Sequence, residues 1–322
     1  MEAQKAQQPS WLIITGLVAV IWTSLWSLSM LMTASPYDSV WFPPAGITVV
    51  ALLLYGLRAA PGILIAIIFT TYFNDFLFGA NASLLDLLKG ASGFFFTHIT
   101  VFWLYTLLFR KTVRRIIRRN NVERTKNPAL TLVIAFIAMA LASSFTNAWV
   151  GINALVHIDL LETTKQQALF WSWGIGDAAG LIVVAPICFG FLGAFSPRVR
   201  KSLLGMSFQD HPVDKGPVLA KTAIALVFLL IALAANTLSN SILVGGLIFA
   251  PFIPLLWIAL TESPAMSAAS LAGFTFLTAL FVDSAGLIDN KLIYQSALII
   301  MAIMTWLIIA IRTGAMRTND SV

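Results

Sequence analysis

Apolar residues run through this chain in long continuous stretches, separated by short polar or Gly/Pro-containing breaks. Several stretches approach or exceed the roughly 20 residues that carry a helix across a bilayer. A β-barrel pore would show ~10-residue segments of alternating polarity instead. Taken in order, the runs predict helices at 11–33, 44–57, 60–79, 83–109, 128–155, 167–194, 219–237, 243–260, 265–283 and 292–311. The expected fold is therefore an all-α polytopic membrane protein, a bundle of about ten transmembrane helices. The count ranges from eight to ten, because the second helix is short and 243–283 contains Pro251, Pro254 and Pro264. The first run is too long, and its N-terminal flank too nearly neutral, for a cleaved signal peptide, so it reads as a retained span.

Ten spans place both termini on one side, and the charges select that side. With N- and C-termini cytoplasmic, 17 of the 20 Lys and Arg residues fall inside, leaving only Lys89, Lys165 and Lys291 outside. Asp38, Asp75, Asp86, Asp159, Glu162, Asp283 and Asp289 all fall on the outer side. Eight basic residues lie between Arg110 and Lys126, with Val113, Ile116 and Ile117 at helical spacing among Arg114, Arg115, Arg118 and Arg119. This segment, 110–127, reads as a basic amphipathic helix continuing from the fourth span onto the membrane surface. Its expected partner is anionic lipid, with a cytoplasmic protein as the alternative.

Composition agrees with a bilayer rather than water as the solvent. The 322 residues are 59% hydrophobic and 11% charged, with a mean hydropathy of +0.88, against about 25% charged in a soluble domain. The net charge of +6 is concentrated beside one span, so lipid and not nucleic acid is the expected partner. Cys188 is the only cysteine, which excludes an intrachain disulfide or a cysteine-based metal centre. No zinc, Ser-His-Asp or phosphate-loop pattern occurs; neither a metal nor a cofactor is expected, and the chain is not read as an enzyme. No loop is long enough for a soluble domain, so residues 1–322 read as a single membrane-integral domain.

The candidate site is set by polar residues where they are costly. Asp177 lies about ten residues into the sixth span, within Trp171-Ser172-Trp173-Gly174-Ile175-Gly176-Asp177-Ala178-Ala179-Gly180. A carboxylate near mid-bilayer costs ~2.5–3.5 kcal/mol even on the lenient insertion scale, so it should face the bundle or a watery pocket. Gly176 and Gly180 permit close helix packing, and Pro186 is expected to kink the same helix. Asn74, Thr97, His98, Thr100, Thr146 and Asn147 lie at comparable depth. Trp41, Pro44, Asn74, His98, Asn147, Trp173 and Asp177 are the candidate lining of an outward-open small-molecule pocket, with Trp41 to Pro44 at its rim and Asp177 at its floor. Each alone is also consistent with an ordinary packing hydrogen bond.

Gly174-Ile175-Gly176-Asp177 also has the Gly-x-Gly-Asp form of presenilin-like intramembrane aspartyl proteases. That chemistry needs two carboxylates at one depth sharing a proton. Asp38 falls in a loop, and Pro128-Ala129-Leu130 precedes the Gly-x-Gly-Asp, whereas it follows it in that family.

A longer pattern fits better. Trp41, Pro43, Pro44, Ala45, Gly46, the apolar run to Gly56, Arg58, Pro61 and Gly62 resemble the signature of the first type of membrane-associated sensor domain (MASE, type one). Trp173, Gly176, Asp177 and Gly180, followed by Pro186, resemble its second signature, and Pro254-Leu255-Leu256-Trp257-Ile258-Ala259 is a weaker third match. The chain departs from the pattern after Trp257, where Thr261-Glu262-Ser263 replace an arginine. It departs again in the fourth span, where Thr97, His98 and Thr100 stand in place of Asn and Glu. The resemblance implies a multi-pass bacterial inner-membrane sensor. Because the chain ends at Val322 without an output domain, a separate signalling protein or transporter is its expected partner. The alternative is a small-molecule permease, proton-coupled through Asp177, which broken helices and an intramembrane carboxylate also suit.

Overall fold

The computed structural model describes residues 10–31, 33–35, 38–79, 82–123, 127–196, 199, 215–239, 241–284 and 290–319. Lys5, Arg124, Lys126, Arg198, Arg200, Lys201 and Asp289, counted above to orient the chain, lie outside them. Helix α1 (Trp11–Met30) is followed by a two-stranded antiparallel ribbon, β1 (Thr33–Ser35) and β2 (Asp38–Ser39). Then come α2 (Pro43–Tyr55), a 3-10 turn over Gly56–Ala59, α3 (Ala60–Phe78), α4 (Leu84–Glu123), α5 (Pro128–His157), α6 (Gln166–Phe195) and α7 (Lys215–Leu238). The last part holds α8 (Ile242–Gly245), a 3-10 turn over Gly246–Phe249, α9 (Phe252–Thr261), α10 (Pro264–Ser284) and α11 (Lys291–Asn319). Among the described residues nine helical stretches are long and apolar enough to cross a membrane, with 43–78 counted as one of them. Large apolar side chains such as Phe69, Phe76, Phe96, Phe195 and Leu243 are exposed, as a lipid-facing surface requires.

The stretch 43–78 accounts for the difference between ten spans and nine. Gly56, at φ 63°, breaks the helix in a conformation that favours glycine, and α3 restarts with Pro61 in its first turn. Along α1, Thr15 meets Gly62 and Trp26 meets Phe73, so α3 runs parallel to α1. Phe42, just before α2, packs edge-on against Trp22 at 6.0 Å between ring centroids. Trp22 is about 17 Å along α1. So α2 does not start at the bundle surface, and the expected outer-mouth position of Trp41 to Pro44 is corrected. The extended chain dips into the bundle, and a helix of 13 residues, about 20 Å, completes the pass.

A helix that begins inside an apolar interior must account for its first amide donors. Here two are absent, because N1 and N2 are Pro43 and Pro44. The Ala45 amide donates to the Phe42 carbonyl (3.2 Å), and the Phe42 amide donates to the Gly176 carbonyl of α6 (3.2 Å). Gln295 of α11, fully buried, donates Nε2–H groups to the carbonyls of Ser39 (3.1 Å), Val40 (3.2 Å) and Ser172 (3.2 Å). At the other end of α2, Arg110 of α4 donates to the carbonyls of Leu52 and Leu53, each at 2.7 Å. Arg312 of α11 caps α9 in the same way, donating to Ala259 and Glu262 carbonyls at 2.7 Å. The units α1–α4 and α7–α11 thus each contain a short helix, a proline-started return helix, and an arginine from the following helix on the short helix's last carbonyls.

Two further expectations change in detail. Pro186 lies within a continuous α6, and its missing N–H would leave the Ile182 carbonyl unpaired. The Trp306 indole of α11 donates to that oxygen at 2.9 Å. The basic segment after Arg110 does not turn at the end of the span. Its described residues continue α4 unbroken to Glu123, with Arg114, Arg115, Arg118 and Arg119 exposed and Val113, Ile116 and Ile117 half-buried.

Arg58, Arg110 and Arg312 mark one end of the bundle and Asp75, Asp86 and Glu162 the other. These are called the basic and acidic ends below.

Candidate functional site

The two glycine-containing motifs meet face to face, and the meeting places the carboxylate. Gly180 lies so close to the chain entering α2 that a Cβ there would sit 1.9 Å from the Phe42 carbonyl oxygen. A Cβ on Gly46 would lie 2.7 Å from Val184 Cβ and 2.8 Å from the Gly180 oxygen, and one on Gly176 would lie 2.9 Å from the Ser39 oxygen. With no side chains between them, α2 and α6 pack backbone to backbone. Asp177, one residue after Gly176, is then fully buried beside the start of α2.

Asp177 ends a chain of buried polar groups drawn from five helices. Trp22 of α1 donates its indole N–H to Thr48 Oγ1 (3.0 Å), and Thr48 of α2 donates its hydroxyl to the Pro44 carbonyl (3.0 Å). Thr48 Oγ1 also lies 3.0 Å from His98 Nε2 of α4. Because the hydroxyl proton is already committed, His98 is assigned as the Nε2–H donor, which leaves Nδ1 as an acceptor. Asn147 of α5 faces that Nδ1 at 3.4 Å and donates its other Nδ2–H to Asp177 Oδ2 at 2.8 Å. Every proton in this chain has one consistent position. Among the described residues Asp177 Oδ1 has no partner with hydrogen-bond geometry, and the Trp173 indole, one turn earlier, is the donor that interacts with the carboxylate besides Asn147.

Asp177 borders a cavity of about 320 Å³ between α1, α3, α4 and α6, within the size range of small-ligand sites. Asp177, Gly176 and Trp173 line it, with Phe42 and Trp22 among the walls and Asn74, Asp75 and Asp86 toward the acidic end. Phe94 packs at a tilt against Trp173, 5.8 Å between ring centroids, and against His98 at 5.0 Å. Of the seven residues expected to line a pocket, Asn74, Trp173 and Asp177 border this cavity. His98 and Asn147 stand one layer behind and hold the carboxylate. Trp41 belongs to neither group, and Pro44 joins the network only through its carbonyl, which accepts from Thr48. They are buried in the core because Gln295 and Gly176 draw residues 38–42 inward.

Sequence reasoning did not single out Trp22, Thr48 or Gln295, and it held Phe42 only as part of the rim stretch 41–44, of which Phe42 alone borders the cavity. Thr48 carries a readable signal, a hydroxyl in an apolar run one turn after Pro44. Gln295 carries one too, as the amide in the apolar last span. Thr48→Val removes the acceptor shared by Trp22 and His98 and leaves buried donors unpaired. It is expected to cost about 1–3 kcal/mol, read as a lower thermal midpoint in detergent. An unchanged midpoint would show that these bonds do not hold α2 in place.

The family model described as MASE1 matches residues 11–317. No curated protein and no solved structure matches the chain.

Proposed function

The chain belongs to the MASE1 family of membrane-associated sensor domains, and on that premise we propose how this multi-pass membrane sensory module works. It binds a small molecule in the cavity at Asp177 and reports occupancy at its basic end to a separate signalling protein or transporter. The basic end is cytoplasmic and the membrane is the bacterial inner membrane, following the positive charge. One observation carries this reading: a fully buried carboxylate borders a cavity and has one oxygen without a hydrogen-bond partner among the described residues, while its other oxygen is wired through Asn147, His98 and Thr48 to the first turn of α2. A ligand on Oδ1 acts on that network, and α2 is the rod between the cavity and Arg110. Such a ligand shifts the module only as far as it favours one position of α2 over another.

The permease alternative finds less support: beyond Asp177 toward the basic end, α2 and α6 are in backbone contact at Gly46 and Gly180. The exposed arginines 114, 115, 118 and 119 offer anionic lipid about 1 kcal/mol each. Replacing all four with glutamine is expected to reduce phosphatidylglycerol retained on purification, read by mass spectrometry of bound lipid. Equal retention would assign these side chains to a protein partner.

The functional test uses a photo-crosslinking residue at Leu57, exposed in the turn between α2 and α3, in native membranes. The expected result is capture of a kinase, cyclase or transporter, with a yield that changes in Asp177→Asn and Trp173→Ala. No captured partner, or an identical yield in both cavity variants, would reject the proposal.

A further inference from the structure

We infer that the cavity's ligand carries a protonated amine, an inference that rests on the sensory reading above and names its ligand class. The charge of the lining is one-sided. Asp177, Asp75 and Asp86 border the cavity, and no lysine, arginine or histidine does so among the described residues. The nearest described basic group on the same helix turn, Lys89, is half-exposed and lies 3.5 Å from Asp86 Oδ1. An anionic ligand would meet three carboxylates, only one of them facing a cation, and burying it there is strongly disfavoured.

The carboxylates differ in how far they are already used. Asp75 Oδ1 accepts the Ala82 amide (3.0 Å), and Asp86 accepts the Ser83 hydroxyl (2.7 Å) besides facing Lys89. These two are tied into the turn between α3 and α4 and set a negative field at the mouth. Asp177 is the group with an open valence. Its side chain is wholly buried, the residue borders the cavity, and Oδ1 has no hydrogen-bond partner among the described residues. An acceptor in that position is matched by an N–H or O–H donor, and a carboxylate by a donor that brings positive charge.

The walls select the same chemistry. Trp22, Trp26, Phe42, Phe94 and Trp173 border the cavity. The Trp22 N–H is committed to Thr48, so what that indole offers inward is its ring rather than its donor. Aromatic faces around a carboxylate attract an organic cation through their quadrupoles and take up its apolar part. An ammonium with at least one N–H fits all three features: the open oxygen, the charge and the rings. A quaternary ammonium lacks the N–H, and an alcohol lacks the charge.

The same ammonium is present in a free amine and in a phosphatidylethanolamine headgroup. The test therefore uses the full chain in nanodiscs of phosphatidylglycerol, which carries no amine, titrated with phenethylammonium, 2-phenylethanol and phenylpropionate. Binding is read by intrinsic tryptophan fluorescence and by thermal midpoint. Saturable binding of phenethylammonium is expected, about 10- to 100-fold weaker in Asp177→Asn, with the alcohol and the acid at least tenfold weaker on the native chain. Trp173→Leu, which leaves the carboxylate in place, is expected to weaken the amine more than the alcohol. It supplies the answer if Asp177→Asn does not fold.

Adding phosphatidylethanolamine to the discs separates the sources. A lower apparent amine affinity assigns the site to the headgroup and an unchanged one to a soluble amine; both uphold the ammonium. Thr70→Trp fills the cavity and should remove binding. Equal binding of alcohol or acid, lost in Thr70→Trp, would overturn the amine and leave the cavity as the site. Binding of none of the three would overturn the cavity reading and the amine with it.

Discussion

Gly180→Val is expected to prevent the chain from folding, read as loss of the monodisperse peak on size-exclusion chromatography after detergent extraction. A Cβ at this position would lie 1.9 Å from the Phe42 carbonyl oxygen, 2.4 Å from its carbon and 3.0 Å from Pro43 N. All three are backbone atoms, so no side-chain rotation relieves the clash. Overpacking in cores costs about 1–3 kcal/mol where neighbours can move, and here the neighbour is the start of α2, fixed by the Gly176 carbonyl and by Gln295. Even alanine at 180 adds that Cβ, so Gly180→Ala should be severely affected too. Gly16 provides the control: a Cβ there has nothing within 4 Å, and Gly16→Ala should leave the peak unchanged. A well-folded Gly180→Val would mean that α2 and α6 are not in backbone contact.

The second large effect is at the basic end. Lys221 of α7 makes a buried ion pair with Glu262, the residue after α9, donates to Thr261 Oγ1 at 2.7 Å, and lies 4.9 Å from the Trp257 ring centroid. Both side chains are close to nine-tenths buried, at 10% and 13% exposure. Lys221→Met leaves Glu262 without its cation in an apolar setting, and the expected loss is about 3–5 kcal/mol. The double substitution Lys221→Met with Glu262→Leu removes both charges and should recover most of that loss, because burying the pair is itself costly. Thermal midpoints of the single and double variants check this. A double variant no better than the single would show that the cation–π contact and Thr261 matter more than the ion pair. This pair occupies the place where the sequence pattern lacks the arginine expected after Trp257.

The spans were legible because a bilayer demands long apolar runs, and most predicted limits fall near those observed. The glycines and prolines were legible as a pattern, but their purpose lay in pairs of positions far apart. Gly180 is explained by Phe42, Pro186 by Trp306, and the prolines at 43 and 44 by a helix that starts inside the bundle. Length and hydropathy cannot show that start, since a buried helix end and a surface one have the same composition. Its anchor, Gln295, is supplied more than 250 residues later in the chain. Asp177, Asn74 and Trp173 were found because polar and aromatic groups are conspicuous in an apolar helix. Which faces of five helices converge is set by packing, and so the division of His98 and Asn147 from the cavity wall became visible only in the fold. Arg110 was read as one charge of a basic segment. Its role as the cap on α2 depends on carbonyls some 57 and 58 residues earlier.

The central claim is a cavity open at the acidic end and closed toward the basic end, with Asp177 between. Thiol accessibility in a Cys188→Ser background tests it most directly. Thr71 borders the cavity, and Val49 of α2 is fully buried beyond the Gly46–Gly180 contact. In sealed vesicles of each orientation, a membrane-impermeant thiol reagent is predicted to label Thr71→Cys from the acidic side only, and Val49→Cys from neither side. Labelling of Val49→Cys, or of Thr71→Cys from the basic side, would reveal a through path and contradict the account.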